Sequence, residues 1–242
     1  MIAISIRELT KKYGDLVAVD HLSLDIQKGE LISLLGVNGA GKTTTVKMLS
    51  CLARPCEGTA LIHGYDICTQ SDQIKPIIGV SPQETAVAPG LSVLENLQLL
   101  CGIYGLTKDE SANRINDIIS SLGLEQVLHR KAGKLSGGWQ RRLSIAMALV
   151  GQPTVMFLDE PTLGLDVLVR RELWTLIRSL RGKVTIILTT HYMEEAEELS
   201  DRVAIMASGK LIDCDTPSAI KQKTGCERFE DAFIQIVKEG NV

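Results

Sequence analysis

One stretch limits the folds open to this chain more than any other. Residues 30–35 read Glu-Leu-Ile-Ser-Leu-Leu, a mostly apolar strand, and run directly into Gly36-Val37-Asn38-Gly39-Ala40-Gly41-Lys42-Thr43-Thr44. The loop matches G-x-x-x-x-G-K-[ST], and a helical pattern follows over 43–52. Glycine-rich backbone between a strand and a helix curls its N–H groups round a phosphate, and the helix N-terminus adds the positive end of its dipole. Lys42 is placed to reach the β- and γ-phosphates of a nucleotide and the Thr43 hydroxyl to ligate Mg²⁺, with Thr44 holding the neighbouring phosphate. A strand–loop–helix unit of this kind calls for an α/β core.

The rest of the chain agrees with such a core and adds two other textures. Residues 2–35 read as short strands with turn signals at Gly14-Asp15 and Lys28-Gly29, which predicts an antiparallel opening layer. After Pro82 the pattern becomes helical over 91–104 and 109–122, the latter placing Ile115, Ile118, Ile119 and Leu122 on one face. Buried parallel-strand texture returns at Val155-Met156-Phe157-Leu158 and over 184–188, with an amphipathic helix at 169–180 between them. Residues 203–206 and 210–213 read as a closing hairpin around Ser208-Gly209, and the chain beyond Thr216 is helical and more charged. The expectation is one domain over 1–242. Its core comprises 1–84 and 151–222, a helical subdomain covers 85–150, and a C-terminal helical tail covers 223–242.

Composition excludes several alternatives. A net charge of -3 argues against a nucleic-acid surface, which normally comes with a clearly basic domain. The pairs Lys11-Lys12, Arg141-Arg142 and Arg170-Arg171 are short and scattered, and a solvated face accounts for them. The six cysteines form no C-x-x-C pair and have no nearby histidine, so they are expected as reduced thiols of a cytosolic protein. The N-terminus alternates like a strand and does not read as a signal peptide. No uninterrupted apolar run approaches the roughly 18–20 residues of a membrane span, so any membrane crossing falls to another polypeptide.

A phosphate loop needs a second, carboxylate-bearing strand, and Val155-Met156-Phe157-Leu158-Asp159-Glu160 supplies one. Asp159 at its end is a candidate for Mg²⁺, and Glu160 for the general base that takes a proton from water. Read alone, the pair is equally a charge cluster ahead of Pro161. Leu135-Ser136-Gly137-Gly138-Trp139-Gln140 offers a further anion site, because two glycines and a serine open an apolar helix, although in isolation it also reads as an ordinary capped turn. An enzyme acting on one nucleotide with one loop has no use for it.

With that motif the sequence resembles the nucleotide-binding subunits of ABC transporters, whose signature reads L-S-G-G-Q, and the resemblance extends over essentially the whole chain. It implies a RecA-like P-loop NTPase core with an antiparallel β layer and an α-helical subdomain. It also implies roles for particular residues. Tyr13 stacks on adenine, with Val19 against the ribose. Gln83, in Val80-Ser81-Pro82-Gln83, touches Mg²⁺ and the attacking water. Ser136, Gly137 and Gly138 bind the ATP of a facing subunit, Asp166 lies across the seam, and His191 binds the γ-phosphate and orients the water. Two ATP molecules then join two identical subunits, and hydrolysis parts them. That motion passes to a transmembrane permease subunit at the cytoplasmic face of the membrane, where a groove beside Gln83 receives one of its helices.

Trp139 stands where the family's signature has glutamine, Val37 where many members have proline, and Leu163-Gly164 where many have small polar or apolar residues. None of these removes a phosphate contact. Thr189-Thr190-His191-Tyr192-Met193-Glu194-Glu195-Ala196 and Phe229-Glu230-Asp231-Ala232-Phe233 resemble the subunits that serve drug, antibiotic or lipid exporters. The competing readings are an importer subunit, an ABC ATPase acting on ribosomes or DNA, and a P-loop GTPase or kinase. The second normally has paired nucleotide domains or basic arms, and the third has no use for residues 135–140.

Overall fold

The computed structural model describes residues 1–240. Two 12-residue strands, β1 (Ile2–Tyr13) and β2 (Leu16–Gln27), open it as an antiparallel ribbon around the Gly14 turn. They are longer than their sequence pattern predicts. Register shifts after Ile2, Ile6, Leu9 and Lys11 break the two-residue alternation, so each long strand reads as several short ones. Then come β3 (Leu31–Leu35), α1 (Lys42–Leu49), β4 (Glu57–Ile62), β5 (Tyr65–Asp66), α2 (Ser71–Ile74) and β6 (Ile78–Ser81). Helices α3 (Val93–Ile103), α4 (Lys108–Leu122) and α5 (Gly137–Leu149) form the central segment. The alternating half follows as β7 (Val155–Asp159), α6 (Val167–Leu180), β8 (Thr185–Thr190), α7 (Met193–Leu199), β9 (Arg202–Ala207) and β10 (Lys210–Asp215). Helices α8 (Pro217–Thr224) and α9 (Phe229–Gly240) close the described chain, and residues 241 and 242 of the expected tail lie outside it.

The strands form two sheets, an antiparallel one in the order β2-β1-β4-β5 and a six-stranded one in the order β10-β9-β3-β8-β7-β6. All pairings in the second are parallel except β9 with β10. Successive side chains of a strand point to opposite faces, and the core divides accordingly. Val155 and Phe157 of β7 face a core shared with α1 and the antiparallel sheet, whereas Met156 and Leu158 face the helices α3–α6. A third cluster packs α8 and α9 on Leu35, Val203 and Ile205.

Local signals set the helix ends. Ser92 with Glu95 and Thr107 with Glu110 form reciprocal capping boxes at the starts of α3 and α4, and Gly123 ends α4 in a left-handed conformation. The helix after the loop stops at Leu49, short of the expected residue 52, because Cys51 turns left-handed at φ 61°. The helical segment does not have a core of its own. Its apolar cluster runs from Leu97 and Ile119 through Leu143 to Met156 and Ile186 of the sheet. Helix α5 lies so close on β6 that a Cβ at Gly79 would stand 2.4 Å from the Ala148 carbonyl oxygen. Beside it, the buried hydroxyls of Ser81 and Ser144 are 2.8 Å apart.

Candidate nucleotide-binding site

Strands β3, β8 and β7 are parallel neighbours, so their C-terminal ends share one edge of the sheet. Leu35 pairs with Thr190 and Asp159 with Thr189, which sets Gly36, Glu160 and His191 side by side just past that edge. Ligands of parallel α/β sheets bind outside such an edge.

The loop after β3 needs its glycines. A Cβ on Gly36 would lie 2.3 Å from the Met206 carbonyl oxygen, and one on Gly41, at φ 100°, would lie 2.4 Å from that of Ala18. No other residue fits either place. Lys42 is buried under the loop, donating to the Gly36 carbonyl at 2.7 Å and the Val37 carbonyl at 3.3 Å. The Thr43 hydroxyl donates to Asp159 Oδ1 at 3.1 Å, and the Thr189 hydroxyl donates to the same oxygen.

Glu160 has a left-handed backbone at φ 48°, a conformation that costs a non-glycine residue on the order of 1 kcal/mol or more and that clusters at functional sites. Its N–H is fixed by the Thr189 carbonyl at 3.1 Å and the Thr189 hydroxyl at 3.0 Å. The carboxylate reaches His191 Nδ1 at 2.8 Å through Oε2 and Lys42 Nζ at 3.5 Å through Oε1.

These groups share a cavity of about 480 Å³ lined by Tyr13, residues 38–44, Gln83, Glu160 and His191. Its size suits a nucleotide-scale ligand. Tyr13 stands half exposed at its rim, its ring 5.1 Å from Lys11 Nζ. Val19 is a correction: it is fully buried behind the loop, and Leu16 and Ala18 line the cavity where Val19 was expected. The alternation of β2 explains this, since one position along a strand reverses the face.

Ser136, Gly137, Gly138 and Asp166 do not line this cavity. Ser136 is exposed at the N-terminus of α5, and its hydroxyl makes no cap hydrogen bond there. Gly138 lets α5 pass α6, because a Cβ there would stand 2.3 Å from Val169 Cγ1. Asp166 caps α6, accepting from Leu168 and Val169 N–H at 3.0 and 3.1 Å.

The expectation of a solvated face fails at Arg141, which is only 5% exposed and donates to the carbonyls of Pro82 and Gln83. Thr189 and Glu195 were also missed. Two threonines ending an otherwise apolar strand and an acid on the buried face of α7 were the available signals. Glu195 is fully buried, with Oε1 accepting from the Thr162 hydroxyl at 2.8 Å and the Trp174 indole N–H at 2.9 Å. Its Oε2 has no hydrogen-bond partner among the described residues. Burial pushes the Glu195 carboxyl pKa up, against the Thr190, Thr162 and Trp174 donors.

A glycine loop on a parallel sheet edge, facing a carboxylate pair and a histidine, defines a P-loop nucleotide-binding fold. The sequence model of the ABC transporter family matches residues 19–163, more than half the chain. The chain belongs to that family. It is 40% identical over 238 residues to the doxorubicin resistance ATP-binding protein DrrA of Mycobacterium tuberculosis, covering 97% of this chain and 70% of that one. It is 41% identical over 230 residues to the Nod factor export ATP-binding protein I of Burkholderia orbicola, covering 94% and 75%. The probable multidrug ABC transporter ATP-binding protein YbhF of Escherichia coli is 38% identical over 242 residues, covering 98% of this chain. The chain spans only 42% of YbhF's length, and 14% of an ABC transporter A family member of Dictyostelium discoideum. Among solved structures, the ATP-binding subunit of an ABC transporter superposes with a TM-score of 0.85 at 25% identity, covering 97% and 99% of the two chains. The dimeric post-hydrolysis cassette MJ0796, bound to ADP and Pi, gives 0.78 at 28% identity, covering 88% and 98%.

Proposed function

We propose that this chain is the ATP-binding and ATP-hydrolysing subunit of an ABC exporter, working as a closed pair of copies against a membrane-spanning partner. The observation that carries the reading is the division of the site. One chain gathers Lys42, Gln83, Glu160 and His191 in one cavity, while Ser136, whose hydroxyl makes no cap hydrogen bond, and Gly137 are exposed elsewhere at the start of α5. A second copy bringing Ser136 to the open side of the cavity completes a phosphate cradle, and the dimeric state of the MJ0796 cassette supports that arrangement.

In the closed pair Glu160 takes a proton from the attacking water, and His191, bonded to its carboxylate, holds the other side of the γ-phosphate. The strained Glu160 backbone fixes the direction of attack. Thr43, Asp159 and Gln83 offer hydroxyl, carboxylate and amide oxygens, a hard-donor set that suits Mg²⁺. Bound there, the ion would neutralise charge on the β- and γ-phosphates.

No helix among the described residues is long and apolar enough to cross a membrane, so the reading assigns the crossing to a permease subunit and the chain to the cytoplasmic face. A groove of about 380 Å³ next to Gln83, lined by Ile78, Pro82, Leu100, Tyr104 and Met147 among others, suits a helix of that partner. Export is favoured by the names of DrrA, Nod factor export protein I and YbhF. The test is phosphate release from Mg-ATP: the wild-type chain turns over, and Glu160→Gln falls at least roughly 10²-fold. Turnover near wild type in that variant removes Glu160 from the role of base.

A further inference from the structure

Arg141 lies in the second turn of α5, five residues after Ser136, and its guanidinium is buried with no carboxylate among the described residues close enough for an ion pair. Its two terminal nitrogens instead reach successive backbone carbonyls, Nη1 to Pro82 and Nη2 to Gln83, each at 2.6 Å. A planar fork on two adjacent carbonyls fixes both position and orientation, which lysine's single ammonium cannot do. Burial pulls the guanidinium pKa down, and the charges of Asp159, Glu195 and Glu160 oppose that. A buried charge held this way is poor value as packing, since an apolar side chain of similar volume avoids its desolvation cost.

We infer that Arg141 is a positioning residue that ties Gln83, at a chain's own cavity, to the helix that presents Ser136 to the other copy. This rests on the proposed function above. From Gly137, the first helical residue after the Ser136 cap, to Arg141 the chain is continuous helix, about 6 Å of rigid rod at 1.5 Å per residue. Behind it, α5 is pinned to β6 by the Gly79–Ala148 approach and the Ser81–Ser144 contact. A shift of the 82–83 carbonyls when Gln83 meets a γ-phosphate therefore turns the start of α5 about that pinned segment. Filling one cavity sets the Ser136 loop for the other, and the two sites become thermodynamically linked.

The experiment measures ATP hydrolysis against ATP concentration for the full chain and for Arg141→Gln and Arg141→Lys, with melting temperature and single-subunit nucleotide affinity recorded for each. The expected result is affinity within about twofold of wild type, a kcat lowered about tenfold or more, and a Hill coefficient falling toward about 1. Lysine fails to rescue because it cannot fork. Wild-type kcat and cooperativity in both variants overturn the assignment. So does a parallel loss of affinity and turnover, and so does failure of both variants to fold, each of which makes Arg141 a packing residue; if only one folds, that one decides. Glu160→Gln serves as the control: should it hydrolyse normally, the proposed function fails, and should it be inactive beside normal Arg141 variants, only this inference fails.

Discussion

The buried carboxyl of Glu195 accepts the indole N–H of Trp174 at 2.9 Å, joining the helix after His191 to the helix after Asp166. The Thr162 hydroxyl, two residues past Glu160, donates to the same oxygen at 2.8 Å. One acid thus holds together the backbone behind the proposed base, His191 and Asp166. Its burial raises its pKa above the ordinary value of 4.5.

A raised carboxyl pKa has a definite sign in stability. The folded state holds the proton more tightly than the unfolded chain, so this contribution is complete below about 4.5 and is lost as pH rises through the folded pKa. Glu195→Gln keeps an acceptor for Trp174 and Thr162 and cannot ionise. Its melting temperature is expected to exceed that of wild type at pH 7.5, with the gap closing as the pH falls toward 4.5. A gap independent of pH would show that Glu195 does not titrate on unfolding.

Gly138 and Val169 make a second testable contact, because no Cβ fits between α5 and α6 at that point. Gly138→Ala should push the start of α5 away, weakening ATP-driven pairing while leaving single-subunit ATP affinity unchanged. Adding Val169→Ala opens the space and should recover part of the loss. The coupling expected between touching residues is about 0.5–3 kcal/mol in a double-mutant cycle on pairing affinity.

Tyr13 and Val19 separate a binding role from a packing one. Loss of the half-exposed ring in Tyr13→Ala should weaken ATP binding by about 1–3 kcal/mol, roughly 5–150-fold, if it stacks on the base. Val19→Ala should instead lower stability by about 1–3 kcal/mol at unchanged affinity, since its side chain is fully buried. Equilibrium nucleotide titration and urea unfolding of both variants check the pair.

Much of this was legible in the sequence because the phosphate loop, the Asp159-Glu160 strand end and the Ser136 helix start are local patterns, each with its own backbone logic. The parallel strands were legible for the same reason, being continuous apolar runs. What escaped depends on contacts between distant segments. Arg141 looks like half of a surface pair until α5 is seated on β6, 60 residues away in sequence between Ser81 and Arg141. Val19 was taken from the family resemblance, and the alternation of β2 turns it away from the cavity that Leu16 and Ala18 line. Segments 57–62 and 65–66 were passed over, since β4 is defined by its pairing with β1, and the two-residue β5 by its pairing with β4, rather than by their own pattern.

The central claim is that two copies close on ATP through the Ser136 face, and the mass of Glu160→Gln in solution tests it most directly. Light scattering after size exclusion should find this variant monomeric without nucleotide and dimeric with Mg-ATP, and monomeric again with Mg-ATP when Ser136→Arg is added at nearly unchanged ATP affinity. A Glu160→Gln chain that binds ATP yet stays monomeric, or a dimer indifferent to Ser136→Arg, would contradict the account.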